Sequence, residues 1–417
     1  MSDQCDAFQA PETILRCADA VAALTAAVRP VEGVETVPLF QAAGRVLAVD
    51  VVAARTQPPA DNSAMDGYAV RSADLAAPEV RLPVGGRIAA GQVFSRPHRP
   101  GEALRIFTGA PVPDGVDAVI PQENCRVDGD HVWLPPVAKG ANVRPAGEDF
   151  RTGAVVLPAG RRLQPQDVGH AAAAGHASLM VRRRPRVALF ATGDEVREPG
   201  QADRPGTIIN SNAYVLHGLL RRLGCQVSYL GIVPDRQALV RDALAGAAAD
   251  GVDAIITSGG VSAGEEDHVK AAVEALGALH FWRIAIRPGR PLAFGRVRGV
   301  PFVGLPGNPV SSLVTFLMFA RPMLDVLAGA TPHRVTGYPA AADFTLDKKA
   351  GRREWLRGTA YRSADGALTV GRFPSDGSGI FSSVVNSTGL IVLPEDLERV
   401  AVGDRLDFLP FDELMAP

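Results

Sequence analysis

Thr257-Ser258-Gly259-Gly260-Val261-Ser262-Ala263-Gly264-Glu265-Glu266-Asp267 follows the apolar run Asp253-Ala254-Ile255-Ile256 and precedes Val269-Lys270-Ala271-Ala272-Val273-Glu274-Ala275-Leu276. The apolar run reads as a buried strand and the following segment as a helix. Glycines and small residues at a strand-to-helix turn leave backbone N–H groups open, and the helix N-terminus favours an anion there. The acidic residues that end the stretch would repel a bare phosphate. They are compatible with one if a divalent cation lies between. The stretch therefore points to phosphate plus metal at the edge of an α/β sheet.

The same alternation extends on both sides. Val187-Ala188-Leu189-Phe190, Val227-Ser228-Tyr229-Leu230, Ala254-Ile255-Ile256 and Phe302-Val303-Gly304-Leu305 read as strands. Residues 210–223, 237–248 and a segment from Pro309 read as helices. This predicts a doubly wound, mostly parallel sheet, with ligands at the C-terminal ends of its strands. Strand 187–190 leads to Thr192-Gly193-Asp194-Glu195, strand 227–230 to Pro234-Asp235, and strand 302–305 to Pro306-Gly307-Asn308-Pro309. These loops would share one edge and bring Glu195, Asp235 and Asp267 together with two anion-receptive turns. Carboxylates so placed raise one another's pKa, so a cation is their natural partner. Taken singly, each loop is equally an ordinary packing turn or helix cap. Asp235, in Pro-Asp-Arg-Gln before a helix, is the clearest example. Convergence of four loops carries the argument.

Arg283-Ile284-Ala285-Ile286-Arg287-Pro288-Gly289-Arg290 adds cations. As part of a strand spanning 281–286, it would place Arg283 and Arg287 on one face, where two guanidiniums hold an oxyanion. The alternative is a sheet-edge strand with solvated arginines.

Outside this part the periodicity changes. From 61 to about 142, short alternating runs are broken by Gly and Pro, with Asp128-Gly129-Asp130 as a hairpin signal. After about 330, Phe344-Thr345-Leu346, Glu354-Trp355-Leu356, Leu368-Thr369-Val370 and Leu390-Ile391-Val392-Leu393 suggest a small barrel or sandwich. The chain of 417 residues exceeds one ordinary core. The expected architecture is a multidomain α/β protein. It has an α/β domain (1–27 with 181–329), a linking domain (28–50 with 147–180), an inserted β-rich domain (51–146) and a C-terminal β-barrel-like domain (330–417).

Composition excludes several classes. Charged residues make up 21% and net charge is −2, without the basic footprint that nucleic-acid binding requires. The longest apolar candidate for a membrane span, Val310–Leu327, is interrupted by Arg321, Pro322 and Asp325. Cys5, Cys17, Cys125 and Cys225 are scattered, which suggests free thiols in a reducing compartment. A cytoplasmic location is expected.

Six motifs occur in order: Asp61-Asn62-Ser63-Ala64-Met65-Asp66-Gly67-Tyr68-Ala69, Thr108-Gly109-Ala110-Pro111-Val112-Pro113, Arg144-Pro145-Ala146-Gly147-Glu148-Asp149, Thr192-Gly193-Asp194-Glu195, Ser258-Gly259-Gly260-Val261-Ser262 and Leu305-Pro306-Gly307-Asn308-Pro309. Together they resemble the molybdopterin molybdenumtransferase family (MoeA and the E domain of gephyrin). The resemblance spans nearly the whole chain. It implies insertion of molybdate into adenylylated molybdopterin with release of AMP, with Mg²⁺ required. It also implies an elongated homodimer whose site lies between the α/β domain of one subunit and the β domain of the other. A molybdopterin adenylyltransferase and molybdoenzyme acceptors are the further partner classes it suggests.

On this resemblance, Ser258, Gly259, Gly260, Ser262, Gly264, Pro306, Gly307, Asn308 and Pro309 would hold the pterin and phosphate side. Glu195, Asp235 and Asp267 would arrange metal and phosphate, with Glu195 and Asp267 as metal ligands. Arg283 and Arg287 would attract molybdate. Asp61 and Thr108 would reach in from the partner subunit, with Arg144 and Asp149 nearby. Arg357 and either Ser382 or Ser383 would contribute from the C-terminal domain. Where the family often has Lys, this chain has Arg283, Arg287 and Arg290, which alters the geometry of anion binding but not its charge. Two other functions share parts of this pattern: a molybdopterin adenylyltransferase, and a non-catalytic scaffold of the gephyrin type.

Overall fold

The computed structural model describes residues 14–202, 204–260, 268–289, 291–333 and 335–417. Its central sheet has six strands in the spatial order Gln226–Val233, Arg186–Thr192, Ala254–Ser258, Val300–Leu305, Pro291–Val297 and Gly277–Arg283. The first four are mutually parallel. The last two turn back as an antiparallel meander.

Side-chain alternation explains why both faces are covered. Val187 and Leu189 join one core with helices Cys17–Ala26, Asn212–Arg222 and the segment from Pro309, while Ala188 and Phe190 join the other with Gln237–Ala249 and His268–Leu276. Near-continuous apolar strands follow from this double covering.

The helical stretch Pro309–Leu327 is long and apolar enough to cross a membrane, but 83% of it is buried inside the protein. It widens into a π turn at Phe316–Ala320, just before Pro322, whose missing N–H interrupts the regular ladder. Its polar interruptions are used internally. Asp325, on this stretch, binds Arg162 at 3.0 Å and sits 3.8 Å from Arg321, both pairs being buried. Arg321 also donates to the Leu414 carbonyl. This charge cluster ties the α/β core to the segment around Arg162 and to the C-terminal tail.

The chain returns twice to its early segments. Val34–Pro38 pairs with Ser178–Arg182, and Val51–Val52 with Val155–Leu157. Between these lies a six-stranded sheet ordered 118–121, 67–70, 103–106, 80–88, 131–134, 126–128. Asp128 and His131 face each other across a two-residue turn in which Gly129 has positive φ. The C-terminal strands Arg353–Arg362, Leu368–Arg372, Tyr338–Ala342, Arg405–Pro410 and Gly389–Leu393 close on themselves, since the last pairs back with the first. That closure makes a small barrel.

One expected element is corrected. The run Arg283 to Arg287 is not one strand. The sheet strand ends at Arg283, and Ile286–Arg287 pairs instead with Arg353 and Glu354 of the C-terminal barrel. Ile284 and Ile286 are both buried, and the backbone between them bridges to Leu15. The chain leaves the central sheet here to pair with the C-terminal barrel before returning at Pro291–Val297, so period-2 logic does not carry across it.

Candidate functional site

A cavity of about 1130 Å³ opens at the C-terminal edge of the parallel strands. Its walls include Gly193, Glu195, Asp235, Ser258, Gly259, Gly260, Pro306, Gly307, Asn308 and Pro309. The loops predicted to converge therefore do so. Parallel strands end at one edge, and each loop there must turn into a helix.

Close approach dictates the glycines. Gly259 has φ +93°, and a Cβ there would lie 2.5 Å from the Thr192 carbonyl oxygen. Gly260 has φ +64°, and its Cβ would collide with Val269 and Thr192. The 192–195 and 258–260 loops thus touch through their backbones. Asn212 links a third. Its side-chain amide donates to Ser258 Oγ at 2.7 Å and to the Gly307 carbonyl at 2.8 Å. Sequence reasoning missed this residue. Asn212 falls within the first turn of the helix expected over 210–223, and nothing local shows which loops its amide reaches.

The carboxylates at this edge repel one another. Asp235 has its pKa raised, chiefly by burial and further by Asp194 and Glu195, with His268 and the nearby Thr192 hydroxyl acting in the opposite direction. Its Oδ1 is buried without a hydrogen-bond partner. A buried, unpaired carboxylate oxygen beside two other carboxylates is costly unless a cation joins it. Hard oxygen donors of this kind suit a divalent ion that completes its shell with water and phosphate. Among the described residues no group of three or more His, Cys, Asp or Glu is arranged to hold a metal alone. Asp267, Ser262 and Gly264, also expected here, lie outside the described residues, as does Arg290.

The other wall comes from the C-terminal barrel. Arg287, Asp376, Gly377, Ser378, Gly379 and Phe381 line it. The Ser378 carbonyl accepts the Val310 N–H at 3.0 Å and so docks this loop on the start of the Pro309 helix. Arg287 lines the cavity, whereas Arg283 does not. Arg283 is solvent-exposed at the end of its strand, where the chain leaves the central sheet. Arg357 does not reach the cavity either. It is buried beneath the loop, donating to the Ser375 and Gly377 carbonyls at 2.9 and 3.2 Å and to Ser383 Oγ at 2.9 Å. Its place is structural support for the wall. Ser382 is exposed and outside the lining, and Ser383 is spent on Arg357.

Asp61, Thr108, Arg144 and Asp149 form a second cluster on the β-rich unit, apart from the cavity lining. Asn62–Ser63 pairs with Val143–Arg144. Asp61 Oδ1 accepts the Ala146 N–H at 2.7 Å, and Asp66 Oδ1 accepts both the Thr108 N–H and its hydroxyl at 2.8 Å. The Thr108 backbone bond, then its hydroxyl, holds the Asp66 carboxyl below the usual range. Asp149 is anchored by its backbone to Gln57. Three distant motifs thus make one exposed polar patch. Asp66, within the 61–69 motif, is a further member that the sequence does not single out.

The three cysteines among the described residues, Cys17, Cys125 and Cys225, are free thiols held in their protonated form. Burial pushes the Cys17 and Cys125 thiols up to about 11 and that of Cys225 up to about 12.

Three family models divide the chain: "MoeA N-terminal region (domain I and II)" at 15–175, "Probable molybdopterin binding domain" at 188–326, and "MoeA C-terminal region (domain IV)" at 339–411. A molybdopterin molybdenumtransferase of Haemophilus influenzae is 39% identical over 388 residues, covering 91% of this chain and 95% of its own length. The chain belongs to the molybdopterin molybdenumtransferase (MoeA) family. Molybdopterin molybdenumtransferase 2 of Mycobacterium tuberculosis is 40% identical over 401 residues, covering 93% of this chain and 96% of its own. A crystal structure of the MoeA protein of Pyrococcus horikoshii superposes with a TM-score of 0.82 at 30% identity, over 95% of this chain and all of that one. The MoeA member described here is therefore an enzyme, a transferase of molybdenum cofactor biosynthesis, with the multidomain α/β architecture of its relatives.

Proposed function

We propose that this enzyme inserts molybdate into adenylylated molybdopterin and releases AMP, in a homodimer whose active site combines the cleft of one subunit with the polar patch of the other. The observation that carries this reading is the split itself. The cleft has anion-receptive loops and an unpaired carboxylate. The Asp61–Thr108–Arg144 patch is polar and ordered by its own hydrogen bonds, yet contributes no residue to the lining of that cleft. A patch of this kind is complete only against another surface.

Within the cleft, the N–H groups of Gly260, Gly307 and Asn308 would face phosphate and pterin oxygens, that of Gly259 being bonded to the Leu305 carbonyl. Glu195 and Asp235, with Asp267, are the residues that would hold Mg²⁺. Bound there, the ion would neutralise charge on the pyrophosphate link as it is cleaved. Arg287 supplies positive charge for the incoming molybdate dianion. Thr108 and Asp61 are assigned to positioning the substrate from the partner. The protein is read as cytoplasmic, with a molybdopterin adenylyltransferase upstream and molybdoenzymes as acceptors.

The test is incubation of the purified protein with adenylylated molybdopterin, Mg²⁺ and molybdate, following AMP by chromatography. AMP release dependent on both Mg²⁺ and molybdate is expected. Its absence would sink the reading and leave an adenylyltransferase or a scaffold to be tested.

A further inference from the structure

The barrel wall of the cleft holds a chain of charges whose weakest link faces the cavity. Glu354 is buried, with a side chain 1% exposed. It accepts Arg352 Nε at 2.8 Å and Arg287 Nη1 at 3.2 Å. The other terminal nitrogen of Arg287, Nη2, finds its carboxylate partner in Asp376 at 3.8 Å, beyond hydrogen-bond distance. The second oxygen of Asp376 sits 3.4 Å from Arg372 Nη1. Asp376 thus lies between two guanidiniums, accepting one long hydrogen bond from Arg372 and none from Arg287 Nη2, and its side chain is 25% exposed.

The Asp376 backbone is held better than its carboxylate. Buried Arg357 grips the carbonyls of Ser375 and Gly377 on either side, and Ser378 docks on the Pro309 helix. Arg357 itself is bonded to neutral oxygens, so its charge adds to the positive field at this wall. Four arginines (287, 352, 357 and 372) face two carboxylates (Glu354 and Asp376) here. The buried one, Glu354, is committed. The half-buried one, Asp376, occupies a position between two cations that a tetrahedral oxyanion could take.

We propose that Asp376 sets the oxyanion affinity of the cleft. It is a resident carboxylate counter-ion that shields Arg287 and Arg372 and must give way when a dianion enters. This rests on the reading that Arg287 receives the oxyanion. A partly solvated ion pair with one long hydrogen bond contributes little to stability, so this carboxylate can be displaced at small cost. While it remains nearby it also repels a dianion, so its removal strengthens binding.

The test is calorimetric titration of the full chain with sodium molybdate, comparing the unaltered protein with Asp376→Asn, Asp376→Ala, Arg287→Gln and the double variant Arg287→Gln/Asp376→Asn. Both Asp376 variants should bind molybdate about five- to tenfold more tightly, as loss of a screened surface carboxylate predicts. The gain should vanish when Arg287 is absent. Unchanged or weaker binding by both Asp376 variants, while Arg287→Gln loses affinity, overturns the proposal and leaves the Arg287 reading intact. Unchanged binding by Arg287→Gln overturns that reading and the proposal with it.

Discussion

Two regions of this molecule carry polar motifs of similar appearance in the sequence, and they are built in opposite ways. In the cleft, loops from separate strands meet backbone to backbone, enclose a cavity and leave a carboxylate oxygen of Asp235 without a partner. On the β-rich unit, loops from three motifs satisfy one another, with Asp61 on Ala146 and Asp66 on Thr108, and none of them lines the cleft. The cleft is electrostatically unfinished. The patch is finished internally but unfinished in shape. The contrast suggests a container and a complementary surface rather than two independent sites.

The strongest way to break that contrast is complementation. Asp235→Asn in the cleft and Asp61→Ala in the patch should each lower AMP release about 10²–10³-fold. Co-refolding equal amounts of the two inactive proteins should restore about a quarter of the original activity, because half the dimers are mixed and each mixed dimer holds one intact composite site. No recovery would place both residues in one chain's site.

Glycine substitutions sharpen the comparison at the backbone. Gly259→Ala should cost about 3 kcal/mol, since the left-handed φ is compounded by a carbonyl contact. Gly109→Ala in the patch has positive φ and open space around its Cβ, so about 1 kcal/mol is expected. Denaturant unfolding of both variants checks the ranking, and equal losses would contradict the tight packing of the cleft loops.

Magnesium offers a third comparison. Added Mg²⁺ should raise the thermal midpoint of the unaltered protein by a few degrees at saturating concentration and leave Asp235→Asn unmoved. A similar rise in both would remove Asp235 from the ion's neighbourhood.

The smallest effects are opposite in sign. Burial and neighbouring carboxylates raise the pKa of Asp235, so its ionisation weakens the fold as pH rises from the ordinary carboxylate range through the raised value. Asp235→Asn should therefore be the more stable protein at neutral pH. Hydrogen bonds from Thr108 lower the pKa of Asp66, so its contribution is present above the ordinary carboxylate pKa and lost as pH falls through the lowered one. Asp66→Asn should be the less stable protein at neutral pH. Both differences should close in acid, and thermal scans across pH measure them.

Much of the cleft was legible because it is made by local rules. A strand of buried apolar residues, a small-residue turn and a helix can be read within about twenty residues, and the parallel topology then forces the turns to one edge. That is why Glu195, Asp235, Ser258 and the 306–309 turn could be placed together. The arginine run failed for a nonlocal reason. Between Arg283 and Arg287 the chain leaves the central sheet for the C-terminal barrel, which alternation cannot reveal. Arg357 failed likewise: its carbonyl and hydroxyl partners at 375, 377 and 383 are set by how the barrel folds over itself.

By itself the sequence determined the class of the main sheet, the edge where its loops gather, and the family through six ordered motifs. Those depend on periodicity and on residue types that only certain backbones allow. The tertiary structure alone decided which groups meet: Asn212 clasping two loops, Asp235 left without a partner, and Asp376 held between Arg287 and Arg372. Charges and hydrogen bonds act over a few ångströms of space, whereas the residues that supply them lie far apart along the chain.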